Sequence, residues 1–168
     1  MPNWCYNFVT FSGKEEDLEK LHNVFLEMEK QENITNEGQL PEFAKISEQL
    51  DLNRWFFELN IIDLGIISYS TKWVPNTLNL VAIADYFNLE FESEYDESGN
   101  LIYGKAIYKN GILEELDLDT DELLEINWIE SEIEGEDDHY LYRGEKYESD
   151  EEIKEMIWEE KYGKNEIN

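Results

Sequence analysis

The chain has 168 residues, of which 41% are hydrophobic and 14% aromatic, and it carries a formal net charge of −28. That apolar content excludes a disordered acidic tail and suits one domain, or a small domain with an extension. The charge opposes direct binding to nucleic acid or to an anionic membrane and favours basic proteins or cations.

The imbalance is uneven. Residues 1–88 hold fourteen acids and six bases, net −8, whereas residues 89–168 hold twenty-seven and seven, net −20. Between Asn110 and Tyr142 there is no lysine or arginine, and thirteen acids alternate with large apolar residues. Ile112, Leu113, Leu116, Leu118, Leu123, Leu124, Ile126, Trp128, Ile129 and Ile133 are expected to bury an inner face beneath them. A single cysteine, Cys5, rules out an intramolecular disulfide. The absence of a basic leader or of an apolar run near eighteen residues points to a cytoplasmic protein with no membrane partner. The sequon at Asn33 reads as a chance match in that setting.

Along the chain, residues 3–12 predict a strand, with Trp4, Tyr6 and Phe8 on one face and Cys5, Val9 and Phe11 on the other. Ser12 and Glu15 have capping-box spacing, and Leu18, Leu21, Phe25 and Met28 predict an amphipathic helix near 14–30. Phe43, Ile46 and Leu50 suggest a shorter helix. Ile61 to Trp73 reads as one buried strand, ended by Val74-Pro75-Asn76 before Thr77 caps a helix holding Leu80, Val81, Ala84 and Phe87.

Leu89 to Asp96 alternates cleanly, with Leu89, Phe91 and Tyr95 opposite Glu90, Glu92, Glu94 and Asp96. Turns at Ser98-Gly99-Asn100 and Asn110-Gly111 make strands 101–108 and 112–117 the rest of a meander. Residues 118–138 fit helix or strand. A hairpin about Arg143-Gly144-Glu145 follows, and Ser149 with Glu152 caps a last helix that stops at Gly163.

The opening Met1-Pro2-Asn3-Trp4-Cys5-Tyr6-Asn7 running into Thr10-Phe11-Ser12-Gly13 resembles the start of the Api92-like proteins, a family found largely on bacterial plasmids and phages. Ser70-Thr71-Lys72-Trp73-Val74-Pro75, Tyr95-Asp96-Glu97-Ser98-Gly99 with Gly104, and Tyr108-Lys109-Asn110-Gly111 extend the resemblance over residues 1–113. This chain has one Thr-Lys-Trp where the family usually has a further Trp-Gly-Thr-Lys-Trp upstream, so its middle is compressed or diverged. The acidic stretch after 113 lies outside the resemblance.

The resemblance implies an α+β fold: a ferredoxin-like antiparallel sheet with helices on one face over residues 1–117. Residues 118–168 are then an acidic C-terminal extension, packed on that domain and ending in a helix. The resemblance brings no activity and no functional residues.

No catalytic motif, phosphate-binding glycine loop or cofactor signature is present, so no catalytic, cofactor or metal residue is assigned and an enzyme is not expected. Asp117, Asp119 and Asp121 have the spacing of a calcium loop, but Glu122 and Trp128 stand where it needs glycine and glutamate, which favours a solvated turn. His22 and His139 lack zinc spacing with Cys5, and Cys5 within a strand reads as buried and structural. Five tryptophans and ten tyrosines have no basic groove beside them, so they read mainly as core, with some as anchors for a protein partner.

What remains is the acidic surface. Glu90, Glu92, Glu94 and Asp96 form a linear array on a strand, and Glu130, Glu132, Glu134 and Glu136 do likewise if extended. With Glu114, Glu115, Asp117, Asp119, Asp121, Asp137 and Asp138 they are the candidate partner-binding residues. Such rows resemble the repeated charges of a phosphate backbone. The expectation is a non-enzymatic inhibitor or interaction protein that binds a basic nucleic-acid-binding protein by nucleic-acid mimicry. The association of the family with mobile elements makes an anti-CRISPR or anti-restriction target the natural setting. The alternatives are an enzymatic or small-ligand domain with a pocket on or beside the sheet, and an immunity or accessory protein for another basic partner.

Overall fold

The computed structural model describes residues 3–32, 38–45, 53–131 and 137–163. The chain forms two compact units, residues 1–117 and 118–168. The first holds β1 (Trp4–Ser12), α1 (Glu15–Gln31), α2 (Glu42–Lys45), β2 (Phe57–Asp63), β3 (Ile66–Lys72), α3 (Thr77–Phe87), β4 (Glu90–Glu97), β5 (Ile102–Lys109) and β6 (Ile112–Asp117). Its strands make a six-stranded sheet in the order β2-β3-β1-β4-β5-β6, antiparallel at every pairing. The run β2-β3-β1-β4 from one edge, with helices between β1 and β2 and between β3 and β4, is the ferredoxin-like arrangement. The expected meander is there as β4, β5 and β6, and it widens that sheet.

The pleat of β1 sorts its side chains. Cys5, Asn7, Val9 and Phe11 are buried on the helix side, and Trp4, Tyr6 and Phe8 point the other way and are exposed. Leu21, Phe25 and Met28 of α1 and Leu80, Val81, Ile83 and Ala84 of α3 close over Val9, Phe11, Ile67, Tyr69, Phe91 and Ala106. Burying apolar side chains of this size contributes roughly 1.5–3 kcal/mol each.

The single strand expected over 61–73 is a hairpin. β2 begins at Phe57 and turns at Leu64-Gly65 into β3. Ile61, Ile62, Leu64, Ile66 and Ile67 crowd both sides of the turn with only Asp63 and Gly65 among them, which hides it. Gly65 has φ at +77°, and its carbonyl accepts from the Phe11 N–H at 2.7 Å. A Cβ on Gly65 would meet the Phe11 carbonyl oxygen at 3.0 Å, so the turn needs glycine both for its backbone and for its approach to β1.

The helix starts also differ. Lys14 and not Ser12 is the N-cap of α1, and Asn76 precedes α3 with Thr77 as its first residue; neither start has a side-chain cap. The helix expected near 43–50 is seen as Glu42–Lys45, and the remainder, with the Asn33 sequon, lies outside the described residues.

The second unit holds α4 (Thr120–Leu124), β7 (Asn127–Ile129), β8 (His139–Tyr142), β9 (Glu145–Tyr147) and α5 (Asp150–Tyr162), with a three-stranded sheet in the order β7-β8-β9. The stretch left open between helix and strand is both in turn. Asp119 and Glu122 form a capping box on α4, and the Ser149 hydroxyl accepts from the Glu152 N–H at 3.3 Å at the start of α5, as its spacing predicts. Lys161 near the end of α5 reaches Asp119 at 2.7 Å and Glu122 at 2.9 Å, which ties the two helices together. The apolar residues of the base-free stretch do not all turn inward. Leu118 and Leu123 are buried, but Ile112, Leu124, Trp128 and Ile129 are exposed, and Ile133 lies outside the described residues. Among the described residues no helix is long and apolar enough to cross a membrane.

Gly104 on β5 lets both neighbouring strands, β4 and β6, close in. A Cβ there would sit 2.7 Å from the Leu116 carbonyl oxygen, 2.7 Å from the Tyr95 ring, and against the Asp117 carboxylate. Gly104→Ala is expected to destabilise the fold by about 1–3 kcal/mol, read as a lowered urea midpoint with unchanged slope.

Candidate interaction surface on the sheet

The sheet face away from the helices is built around β1. In register with it, β4 sets Asp96 opposite Tyr6, Glu94 opposite Phe8, Glu92 opposite Thr10 and Glu90 opposite Ser12. Directly paired residues of neighbouring strands share a face, with Cβ atoms about 4.5–5.5 Å apart. The expected acidic row therefore runs along β4 beside an aromatic row on β1, where Trp4, Tyr6 and Phe8 are 48%, 51% and 39% exposed. One strand further, Glu92 faces Ile107, which faces Glu114 on β6, so Glu114 extends the same surface.

The row is held in place by its neighbours. Glu94 accepts from the Tyr103 hydroxyl at 2.9 Å and pairs with Lys105 at 3.3 Å. Asp96 accepts from the Ser98 hydroxyl at 3.2 Å, and Glu90 accepts from the Asn110 backbone N–H at 3.1 Å. Glu92 is exposed.

On the other flank of β1 the aromatic patch continues. Trp4 meets the Phe57 ring edge-on at 5.0 Å, Trp55 stacks on Phe57 at 5.4 Å, and the Lys72 ammonium lies 5.0 Å above the Phe57 ring. Trp73 follows β3 with φ at +72°, a left-handed conformation costly for a bulky side chain, and is itself 47% exposed. Sequence reasoning did not single out Trp55, Phe57 and Trp73 for this surface, because an aromatic cluster reads first as core.

The remaining candidates fall elsewhere. Glu115 and Asp117 pair with Ala106 and Gly104, which puts them on the helix side of the sheet, where Asp117 accepts from the Tyr95 hydroxyl at 2.8 Å. Asp119 caps α4, and Asp121 is exposed in the first turn of that helix. Glu130 is exposed just past β7, Asp137 is exposed, and Asp138 accepts from the Ser131 N–H at 2.9 Å. Glu132, Glu134 and Glu136, the rest of the second expected ladder, lie outside the described residues. Among the described residues no group of histidine, cysteine and carboxylates is arranged to hold a metal ion.

A depression of about 490 Å³ beside the sheet is lined by Lys14, Asp85, Glu90 and Tyr108 among others. The Tyr108 hydroxyl donates to Asp85, and burial together with that bond pushes its pKa up to about 12. A phenol so held is a poor proton donor or acceptor near neutrality.

The family model for the ferredoxin-like domain in Api92-like protein matches residues 54–143, more than half of the chain. The chain belongs to the Api92-like family. No curated protein and no solved structure matches it. The match runs from just before β2 into the turn after β8, so it takes in most of the acidic stretch that the sequence motifs left outside the family pattern.

Two of the segments that carry the resemblance, residues 3–7 and 70–75, meet in one polar latch, to which Asn53 adds a bond. The Asn7 amide donates to the Cys5 carbonyl at 2.9 Å and to the Thr71 hydroxyl at 3.1 Å, and Thr71 donates to the Val74 carbonyl at 2.7 Å. The Trp73 N–H donates to the Asn3 carbonyl at 2.9 Å, and Asn53 donates to the Lys72 carbonyl at 3.2 Å. This latch fixes the end of β3 against β1 and holds Trp73 outward.

Cys5 lies beneath it, fully buried. Burial pushes its thiol up to about 12, against a lowering hydrogen bond with Thr71. Below the ordinary value of 9.0 the thiol is protonated in both states and adds no pH dependence. Between 9.0 and about 12 the unfolded chain releases the proton while the folded chain keeps it, so the folded state loses stability as pH rises through that window. A thiol reagent at pH 8 is expected to leave the folded protein unlabelled and to label one cysteine in denaturant.

Proposed function

We propose that this protein is a non-enzymatic, acidic interaction protein whose partner is a basic nucleic-acid-binding protein, engaged through the sheet face away from the helices. The observation that carries the reading is the β1–β4 register, which lays Glu90, Glu92, Glu94 and Asp96 alongside the exposed rings of Tyr6 and Phe8. Carboxylates two residues apart on a strand stand about 6.8 Å from one another, close to the 7 Å or so between successive phosphates of an extended nucleic-acid strand. A cleft that binds such a strand is offered charges at a similar interval.

Charge alone supplies steering and rate, and affinity comes from a few well-packed anchors. Tyr6, Phe8 and Trp4 are rings of the kind that serve as anchors, already held rigid on a central strand. A nucleic acid would also stack on these rings, but the carboxylates in register with them repel its phosphates. An anti-CRISPR or anti-restriction target fits the chemistry, because such effectors carry basic nucleic-acid clefts. Glu114 widens the acidic face on β6. The acids of the second unit add to the long-range field whatever their local roles.

Capture at low salt with the intact chain is expected to retain a basic nucleic-acid-binding protein that added DNA or RNA displaces. Glu92→Lys with Glu114→Lys, both on exposed positions of this face, is expected to slow association with that protein about tenfold and to flatten its salt dependence. A captured partner indifferent to nucleic acid would instead make the chain an accessory protein for another basic molecule. Association unchanged by the double substitution would rule this face out.

A further inference from the structure

We infer that the partner element seated on this face is an extended segment with arginine at alternate positions, each guanidinium stacked on a β1 ring with its edge turned to the β4 carboxylate opposite. The inference rests on the acidic-interaction reading and names the chemistry it would recognise.

The face repeats one unit. Tyr6 stands opposite Asp96, and two residues along Phe8 stands opposite Glu94, so a ring and a carboxylate recur together at each step. A guanidinium is flat, stacks on aromatic faces, and offers two parallel N–H groups to a carboxylate. It is the protein side chain that satisfies both halves of the unit at once. An ammonium is a point charge, which can sit over the ring or beside the carboxylate but has no flat edge to serve both.

The spacing adds a second constraint. Alternate side chains of an extended segment lie about 6.8 Å apart, and so do successive steps of β1. A helical segment would present neighbours at a different pitch. At the third step Thr10 stands opposite Glu92, so that position offers charge without a ring and accepts either cation.

The surface also gives the segment a direction across the strands. Lys72, opposite Trp4 on β3, already places its ammonium 5.0 Å above the Phe57 ring. The β3 flank thus carries its own cation, whereas on the β4 flank Tyr6 and Phe8 each have a carboxylate directly opposite. Incoming guanidinium groups are therefore drawn to the β4 side of Tyr6 and Phe8, and away from Lys72. Tyr103 and Lys105 keep Glu94 oriented without consuming all the lone pairs of its carboxylate.

The test uses the full chain and dye-labelled synthetic peptides of four Arg-Ser repeats, with four Lys-Ser repeats as the equal-charge comparison and oligouridylate as the nucleic-acid comparison, followed by fluorescence anisotropy. The arginine peptide is expected to bind about tenfold tighter than the lysine peptide. Tyr6→Leu with Phe8→Leu keeps apolar bulk at two exposed positions and is expected to abolish that preference, with the lysine peptide still bound. Glu94→Gln with Asp96→Asn is expected to weaken both peptides. Equal binding of the two peptides, lost on neutralising Glu94 and Asp96, would overturn the arginine inference and leave the acidic-surface reading standing. Binding of oligouridylate in preference to either peptide would overturn both. An arginine preference that survives the Leu substitutions would show that the rings do not make it.

Discussion

The constraint on which this molecule depends is the register of β1 against two neighbours at once. Because β1 is central, its pleat divides one nine-residue strand between two tasks. Odd positions build the core under α1 and α3, and even positions form the middle of an exposed surface. A slip of one residue on either side would send Tyr6 and Phe8 into the helices and Val9 and Phe11 into water. The hydrophobic contacts that stabilise the fold therefore also fix the alignment of rings with carboxylates.

That register is reinforced where the start of β1 meets the end of β3. Asn7 is polar, fully buried and on the central strand, and it would be costly without partners. Its amide nitrogen finds them in the Cys5 carbonyl and in Thr71, whose own hydroxyl turns the chain at Val74, while its Oδ1 is left without a hydrogen bond among the described residues. The left-handed Trp73 is the strained element that this network over-determines. Two of the motifs, residues 3–7 and 70–75, which look in sequence like scattered aromatic and small polar residues, are in the fold the two sides of a single latch.

Period-two alternation made β1 and β4 legible from sequence, because one face of each is dry and the other is not. The β4–β5–β6 meander was legible from its turn residues, and Asn110 and Gly111 do adopt positive φ. The β2–β3 hairpin was not legible, since isoleucines and a leucine flank its turn on both sides and only Asp63 and Gly65 stand among them. The base-free stretch misled in a different way. Its isoleucines and leucines read as an inner face, yet a unit of 51 residues with a three-stranded sheet has little interior to offer, and several stay exposed. Of the candidate site, the β4 row could be read from alternation alone. Its aromatic companion on β1 could not, because pairing between distant strands is a property of topology that a single sequence does not display.

The energetics of the β4 row bear on why it is there. Neighbouring carboxylates at about 7 Å repel by about 0.6 kcal/mol in water, so three successive pairs cost about 2 kcal/mol before screening. Against this, the partly exposed Glu94–Lys105 pair contributes about 0–1 kcal/mol, and the hydroxyl and backbone donors at Glu94, Asp96 and Glu90 contribute about 1 kcal/mol each. The contacts exceed the repulsion by only about 1–2 kcal/mol, so the row adds modestly to the stability of the fold. Threonine or serine at these four positions would suit a strand as well without the repulsion. What the carboxylates add is a fixed, evenly spaced field beside rigid rings, and such a field lowers free energy only when an opposing charge arrives. The stabilising contacts hold the row straight, and the unspent attraction is directed outward.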